Sequence, residues 1–319
     1  MDTLQFTESF LQALVAGLLI GSYYGLMCVG LSVIFGVMRV INFAQGDFMM
    51  LGMYVAYYLF VGAGLGIVLG DVWGPYLVAI LAGPPIFVLG YLTHRLLVGR
   101  VTGIGGRALE AEGHYAQLIL TLGIALILQN GGLFLFGSAP VSISTPLSYT
   151  AWEVGPLIGE RVTVLVNQGK GASAVIAVCV VVAFALVMAR TQLGKSLRAA
   201  ADNAQAAIYV GIDVDRAHRI AFAFGVAITA IAGGLLASGY TFQPYVGLEY
   251  VIVMYAGVVL GGMGSTAGAF LGGLIIGLVQ QVSTLFLPSQ LQNTAIFVIF
   301  LVIILLRPQG LFGRAAQRT

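Results

Sequence analysis

The sequence predicts an all-α polytopic membrane protein, and its composition and the spacing of its charges are the observations behind this. Of the 319 residues, 59% are hydrophobic and 8% are charged, whereas about 25% of the residues in an average soluble domain are charged. The mean hydropathy of +1.00 agrees with a membrane location. Since a span needs roughly 20 apolar residues, we interpret 1–319 as one transmembrane domain in a lipid bilayer.

Polar or basic segments divide the apolar runs and place the expected spans. The last run, 250–306, is uncharged over 57 residues, which is too long for one crossing and suits three. The sequence therefore predicts about nine transmembrane helices, with eight to ten allowed, and broken or re-entrant segments near 41–47 and 261–266. The other expected spans are the run ending at Met38 and the segments 48–69, 75–97, 115–136, 172–189 and 220–240.

This assignment puts twelve of the 14 Lys and Arg residues on one side of the membrane. Loops rich in Lys and Arg face the cytoplasm in membrane proteins. We therefore expect a periplasmic N-terminus, a cytoplasmic C-terminus, a basic cytoplasmic segment at 190–216 and an extracytoplasmic loop at 137–171.

Residues 39–47 place polar side chains between two uncharged runs, 9–38 and 48–70. Charged and amide side chains at membrane depth are costly unless they line a water-filled path or find a partner. Two alternatives stay open: a short cytoplasmic hairpin with Arg39 and Asp47 in the headgroups, and hydrogen bonds between helices. The candidate pathway residues in this segment are Asn42, Gln45, Gly46 and Asp47.

A second break is expected where glycines crowd the stretch 261–264. Non-helical backbone is tolerated at membrane depth where it is buried in protein or lines a cavity, and paired broken helices mark transporter binding sites. Segments 45–48 and 267–270 share Gly-x-Phe, which suggests an internal repeat. The further pathway candidates are Gly262, Gly264, Ser265, Asn130, Gln243 and Glu249.

The basic segment contains an Ala-rich stretch, 195–211, that predicts a short amphipathic helix. Its apolar positions recur at helical spacing and Gly211 is placed as a C-terminal stop. An Ala face anchors weakly in lipid, so we expect this helix to dock into a groove of a cytoplasmic protein partner. The residues assigned to this contact are Lys195, Leu197, Arg198, Ala201, Ala204, Ile208 and Gly211.

Four motifs in order resemble the LivH-type permeases of ABC importers for branched-chain amino acids. The resemblance extends from about Phe10 to Gly313. The motifs are INFAQGD at 41–47, GKSLRA at 194–199 closing on GID at 211–213, LGGMGS at 260–265 and RPQGLFG at 307–313.

The resemblance implies a bacterial inner-membrane permease subunit that pairs with a second, LivM-like permease or a second copy of itself. Two cytoplasmic ATPase subunits would drive it through the 195–211 helix, and a periplasmic binding protein would deliver the substrate. The chain has no Gly-x-x-x-x-Gly-Lys-Ser/Thr phosphate loop, so we expect it to be a transport subunit that does not hydrolyse ATP itself. A permease of this type implies neither a cofactor nor a nucleic-acid partner.

Branched-chain or other apolar amino acids are the substrates that the resemblance favours, and urea or a short amide is the alternative. A rival from another class is an ion-coupled secondary transporter or a channel. That rival requires ionisable residues inside its spans, for which Asp47 and Glu249 are the candidates.

Overall fold

A computed structural model describes residues 3–102, 110–155, 163–288, 291–307 and 309–313. Part of the expected loop, 156–162, lies outside these ranges, as does Pro308 of the C-terminal motif. So do four of the basic residues used to orient the chain, Arg107, Arg161, Arg314 and Arg318.

The first half of the chain is helical and contains two interruptions that the sequence explains. The helix α2 continues through a π-helical turn, Tyr58–Gly62, and α4 breaks before Pro84 and Pro85 so that α5 begins with prolines in its first turn. The helices are α1 (Thr3–Met38), α2 (Gln45–Tyr57), α3 (Leu65–Leu69), α4 (Gly74–Leu81), α5 (Gly83–Thr93), α6 (Gly99–Thr102) and α7 (Glu110–Phe136), with a second π turn at His94–Val98.

The connection after α7 carries a 3₁₀ turn, Pro146–Tyr149, and an antiparallel hairpin of β1 (Ala151–Val154) and β2 (Val164–Asn167), in which Ala151 pairs with Asn167. The remaining helices are α8 (Gln168–Arg190), α9 (Gln192–Asp202), α10 (Ala204–Tyr209), α11 (Val214–Ala237), α12 (Val246–Gly261), α13 (Thr266–Ser283) and α14 (Gln292–Leu306).

The centre of the molecule is formed by α1 and α11, which run antiparallel. Gly30 of α1 lies against Thr229 of α11, and Ile34 lies against Gly225. Their glycines and alanines let the two backbones approach closely, as is usual between membrane helices.

Glycines four residues apart also join α1 to α13. Gly21 lies against Gly277 and Gly25 lies against Gly273, so the two antiparallel helices meet along their length. A Cβ added at Gly273 would come within 2.6 Å of the Gly25 Cα. Small residues at these positions therefore let the two helix backbones pack closely, as is usual in membranes.

We name the two ends of the bundle by their charges. Nine basic residues of the described chain lie at one end of the bundle, which we call the basic end; the other is the opposite end. At the basic end α1, α8, the α4–α6 segment and α14 terminate and α11 begins. The nine basic residues are Arg39, Arg95, Arg100, Arg190, Lys195, Arg198, Arg216, Arg219 and Arg307.

The polytopic helical fold predicted from the sequence is confirmed. Within the described residues, six helices are long and apolar enough to cross a membrane. Two shorter apolar helices, Val246–Gly261 and Gln292–Leu306, accompany them. The helix α2, extended by its π turn, supplies a further apolar segment, and the number of crossings stays a prediction.

Candidate functional site

After α1 the chain turns back into the bundle as a non-helical segment, 39–44. The turn is made at Arg39, which has a left-handed φ of 54°. Side chains then alternate, as in an extended strand: Val40, Asn42 and Ala44 are buried, and Arg39, Ile41 and Phe43 are exposed. The predicted break near 41–47 is therefore present, and it exposes one edge of a non-helical segment.

The two amide side chains of this segment are fully buried and hydrogen-bonded within the chain. Gln45 Nε2 donates to Thr229 Oγ1 at 2.6 Å and to the Gly225 carbonyl at 3.1 Å. Asn42 Nδ2 donates to Gln45 Oε1 at 2.9 Å, and Asn42 Oδ1 accepts from the Ala44 N–H at 3.2 Å. These contacts favour the interhelical alternative that the sequence left open, while a pathway role for Asn42 and Gln45 stays a prediction.

A second non-helical segment enters from the opposite end. The chain leaves α11 and passes Phe242, which exchanges backbone hydrogen bonds with Val141 at 2.9 and 3.0 Å. The helix α12 then begins at Val246, deep in the bundle: Gly247 is 14 residues from the end of α12 at Gly261, or about 21 Å at 1.5 Å per residue.

The two segments meet at Gly46 and Gly247, where the first turns of α2 and α12 touch backbone to backbone. A Cβ added at Gly247 would lie 2.7 Å from the Gly46 carbonyl carbon and 2.9 Å from the Asp47 nitrogen. Two helix N-termini are thus locked together in the interior, and the contact leaves no room for a ligand between them.

The two halves of the chain are related as an inverted repeat with α8 between them. The helices α1, α2, α4–α6 and α7 correspond in order to α11, α12, α13 and α14, and the first helix of each half packs along the third of the other. The repeat suggested for 267–270 is wrong in register, because Gly268 contacts Gly261 in the α12–α13 turn. The residue equivalent to Gly46 is Gly247.

Matching aromatic pairs follow the two crossing glycines. Tyr54 and Tyr255 each stand eight residues after their glycine. Tyr54 packs on Phe242 of the second non-helical segment with ring centroids 5.0 Å apart, and Tyr255 packs on Phe43 of the first at 5.7 Å. A tyrosine of each half therefore packs on the non-helical segment of the other half.

The remaining polar candidates do not converge on one point. Asp47 is 6% exposed in the first turn of α2, and no side chain of the described residues pairs with it. Glu249 is exposed and shares a cleft of about 140 Å³ with Asn293 of α14. Asn130 is exposed on α7 and bonds its own helix, and Gln243 is exposed in the second non-helical segment.

The second predicted break is a turn that joins α12 to α13 at the basic end. Gly262 and Gly264 have φ of 100° and 89°, and Ser265 caps α13 by accepting from the Gly268 N–H at 3.1 Å. The turn lines a cleft of about 530 Å³ together with Arg198 and Asp202 of α9. These three pathway candidates thus lie beside the basic segment, far from the Gly46–Gly247 contact.

The predicted 195–211 helix is two helices. The chain breaks at Asn203, whose side chain caps α10 by accepting from the Ala206 N–H at 2.9 Å. This break corrects the expectation of one continuous helix and has a local cause, since Asn competes for backbone hydrogen bonds. The helical C-terminal stop at Gly211 is present, with φ of 82°.

The side chains assigned to the partner contact divide between two faces. Leu197 is buried against this chain, and Ala201 and Ala204 are half-buried, so they seat the segment on the bundle. The exposed members of the predicted set are Lys195, Arg198, Ile208 and Gly211. Sequence reasoning did not single out Tyr209 and Val210, which are 89% and 75% exposed at the tip of α10.

Sequence reasoning also missed Thr229, Gly225 and Gly247. Thr229 and Gly225 lie in an apolar helix without local signal, and only the fold brings them to Gln45. Gly247 had a signal: the spacing from Gly46 to Met53-Tyr54 recurs from Gly247 to Met254-Tyr255.

Comparison with known proteins gives the class of this molecule. Residues 13–306 match the family described as the permease component of the branched-chain amino acid transport system. The chain belongs to this permease family. It is therefore a multi-pass membrane transport protein, and the resemblance drawn from its four motifs is confirmed.

Individual relatives extend along the full chain. The LivH permease protein of the high-affinity branched-chain amino acid transport system of Escherichia coli K12 is 28% identical over 306 residues, covering 96% of both chains. BraD of Pseudomonas aeruginosa, also named for that type of system, is 28% identical over 313 residues, again 96% of both. A probable LivH of Methanocaldococcus jannaschii is 26% identical over 300 residues, 90% of this chain and 88% of that one. No solved structure matches.

Proposed function

We propose that this chain is the permease subunit of an ABC importer that carries branched-chain or other apolar amino acids across the bacterial inner membrane. The names of its full-length relatives support this substrate class. Because the sequence has no phosphate-binding loop, two cytoplasmic ATPase subunits supply the energy. A second permease completes the path, and a periplasmic binding protein delivers the substrate.

The observation that carries the proposal is the exposed apolar tip of α10 at the basic end. Tyr209 and Val210 project from a segment flanked by Arg198 and Arg216. Tyrosine is enriched among the residues that dominate binding energy at protein interfaces, and such a tip fits a groove in a soluble ATPase.

The same segment is seated firmly on the transmembrane helices. The helix α9 packs on α1, α8 and α11, with Gly194 against Met188 and Leu197 buried. Movement of the tip by a partner is therefore transmitted to helices that cross the membrane. On ATP binding, closure of the ATPase pair draws the two coupling segments together and turns the path between the permeases toward the periplasm.

Affinity purification of the tagged chain from native membranes tests the proposal, followed by identification of the co-purifying proteins and uptake assays in liposomes. We expect an ATPase and a second permease, and ATP-dependent uptake of leucine presented by the cognate binding protein. Uptake of urea or a short amide instead of leucine would move the assignment to the alternative importer.

An ion-coupled transporter or a channel makes the opposite prediction. It would purify without an ATPase and would move solute under an ion gradient or down the solute's own gradient, with no need for ATP. That outcome would overturn the proposed function and make Asp47 the next residue to replace.

A further inference from the structure

Ile41 and Phe43 form an exposed apolar edge on a non-helical segment inside the bundle. Each is 39% exposed, although Val40, Asn42 and Ala44 between and beside them are buried. Non-helical backbone has N–H and C=O groups without hydrogen-bond partners in its own segment. At membrane depth such backbone does not face lipid but is buried in protein or lines a water-filled cavity. The open side of residues 41–43 therefore needs a cover other than lipid.

The depth of this edge follows from its contact with α12. The Phe43 ring lies 5.7 Å from the ring of Tyr255, which is six residues, or about 9 Å, before the end of α12 at Gly261. The Gly46–Gly247 contact is a further 12 Å or so inward along the same helix. Phe43 thus lies between the basic end and the middle of the bundle.

Exposed side chains also follow one face of α12. Leu248 and Ile252, with Tyr245 just before the helix, are exposed and stand at helical spacing with Tyr255, the residue that contacts Phe43. The side of α12 that meets Phe43 therefore carries aromatic and branched aliphatic side chains that this chain does not cover.

The other half of the inverted repeat shows that the architecture does not require this opening. There the equivalent pair, Tyr54 and Phe242, is fully buried, and Phe136 of α7 stacks on Tyr54 with centroids 4.0 Å apart. The chain itself covers the Tyr–Phe pair at the opposite end, whereas at the basic end Phe43 is exposed beside the half-buried Tyr255.

We propose that Ile41 and Phe43 form the wall of the translocation path and contact the apolar side chain of the substrate as it passes. This inference rests on the proposed function, and it assigns the importer's selectivity for apolar amino acids partly to these two residues. Their neighbours Asn42 and Gln45 point away from the path and hold the segment in place through Thr229.

Water accessibility tests the wall directly. Phe43→Cys is made in a background with Cys179→Ala, and Cys28 is kept because it is fully buried. The control is Val182→Cys on α8, an apolar helix that packs on α1 and α11 and whose Val182 side chain is 52% exposed. We expect a charged methanethiosulfonate reagent to modify Phe43→Cys in the assembled importer and not the control, since thiolates do not form in lipid.

Transport rates test the contact with substrate. In liposomes containing the whole importer, Phe43→Trp should lower the maximal rate of leucine uptake several-fold, with KM unchanged because the binding protein sets it. Phe43→Ala and Ile41→Ala should raise the rate of phenylalanine relative to leucine several-fold. Val182→Ala should leave the ratio unchanged.

The outcomes separate this inference from the proposed function. The inference fails alone if the wild-type complex imports leucine with ATP but Phe43→Cys resists the reagent. It also fails alone if Phe43→Cys cross-links to the second permease and the alanine replacements leave the substrate ratios unchanged. In either case the surface is a packing interface. If the wild type imports no amino acid, the proposed function fails, and with it the assigned substrate contact.

Discussion

Gly46 and Gly247 touch backbone to backbone where the first turns of α2 and α12 meet. One helix then runs to the opposite end and the other to the basic end, so this contact is the centre of the inverted repeat. Non-helical segments reach it from both ends of the bundle. Transporters built from inverted repeats place their substrate sites near the interface of the two repeats, but this contact itself leaves no room for a ligand.

The first prediction concerns this contact. Gly247→Ala places a methyl group 2.7 Å from the Gly46 carbonyl carbon, and overpacking of this kind costs about 1–3 kcal/mol. Thermal unfolding in detergent should begin at a lower temperature. The matched control is Gly131→Ala in α7, where nothing lies within 4 Å; it should leave the unfolding temperature equal or higher. Equal unfolding temperatures of the two variants would contradict the close backbone contact of Gly46 and Gly247.

The second prediction tests the amide network. Gln45→Ala leaves the Asn42 amide without its acceptor, and Thr229→Val removes the hydroxyl that accepts from Gln45. Each should cost about 1–3 kcal/mol of unfolding free energy, the typical penalty for a buried unpaired polar group. The double variant should show a coupling of about 0.6 kcal/mol or more, as between other membrane helices.

A second pair of replacements provides the control for this double-mutant cycle. The exposed Thr93 hydroxyl donates to the Leu89 carbonyl of its own helix. Thr93→Val combined with Gln45→Ala should therefore be additive. Additivity of the Gln45 and Thr229 replacements as well would mean that the two side chains do not interact.

The third prediction concerns the tip of α10. Tyr209→Asp should weaken ATPase association by about 2 kcal/mol, or roughly 30-fold, as expected for an aromatic anchor. Tyr149→Asp provides the control, because that tyrosine is 83% exposed in the connection at the opposite end. Co-purification of the ATPase with each variant measures the effect. Equal recovery from both would remove the tip from the coupling contact.

The fourth prediction concerns the end of the coupling segment. Gly211 has a left-handed φ of 82°, and no atom lies within 4 Å of the place that an added Cβ would take. Gly211→Ala therefore destabilises the end of α10 by about 1 kcal/mol through backbone strain alone. Hydrogen exchange at the α10 amides should accelerate accordingly. Gly239→Ala meets equally open space without a positive φ and should leave α10 exchange unchanged.

The helical membrane fold and the two breaks could be predicted because each has a local cause. Uncharged runs, helix-breaking glycines and the prolines in the first turn of α5 act within a few residues, and so does Gly211 as a helix stop.

The arrangement of the site could not be predicted because it depends on contacts across the whole chain. Gln45 meets Thr229, 184 residues away, and nothing local to either residue encodes that partner. Reasoning from polarity selected Asn42 and Gln45 for the path, and that role stays a prediction. It did not foresee that the two amides are buried while Ile41 and Phe43 are exposed, because an extended segment turns alternate side chains to opposite sides.

ATP-driven uptake in liposomes is the most direct test of the central claim. The complex purified with this chain is reconstituted, the cognate binding protein and labelled leucine are added outside, and ATP or a non-hydrolysable analogue is enclosed on the ATPase side. The proposed function predicts leucine accumulation with ATP alone and none with the analogue. Accumulation with the analogue under an ion gradient, or with no ATPase present, would contradict it.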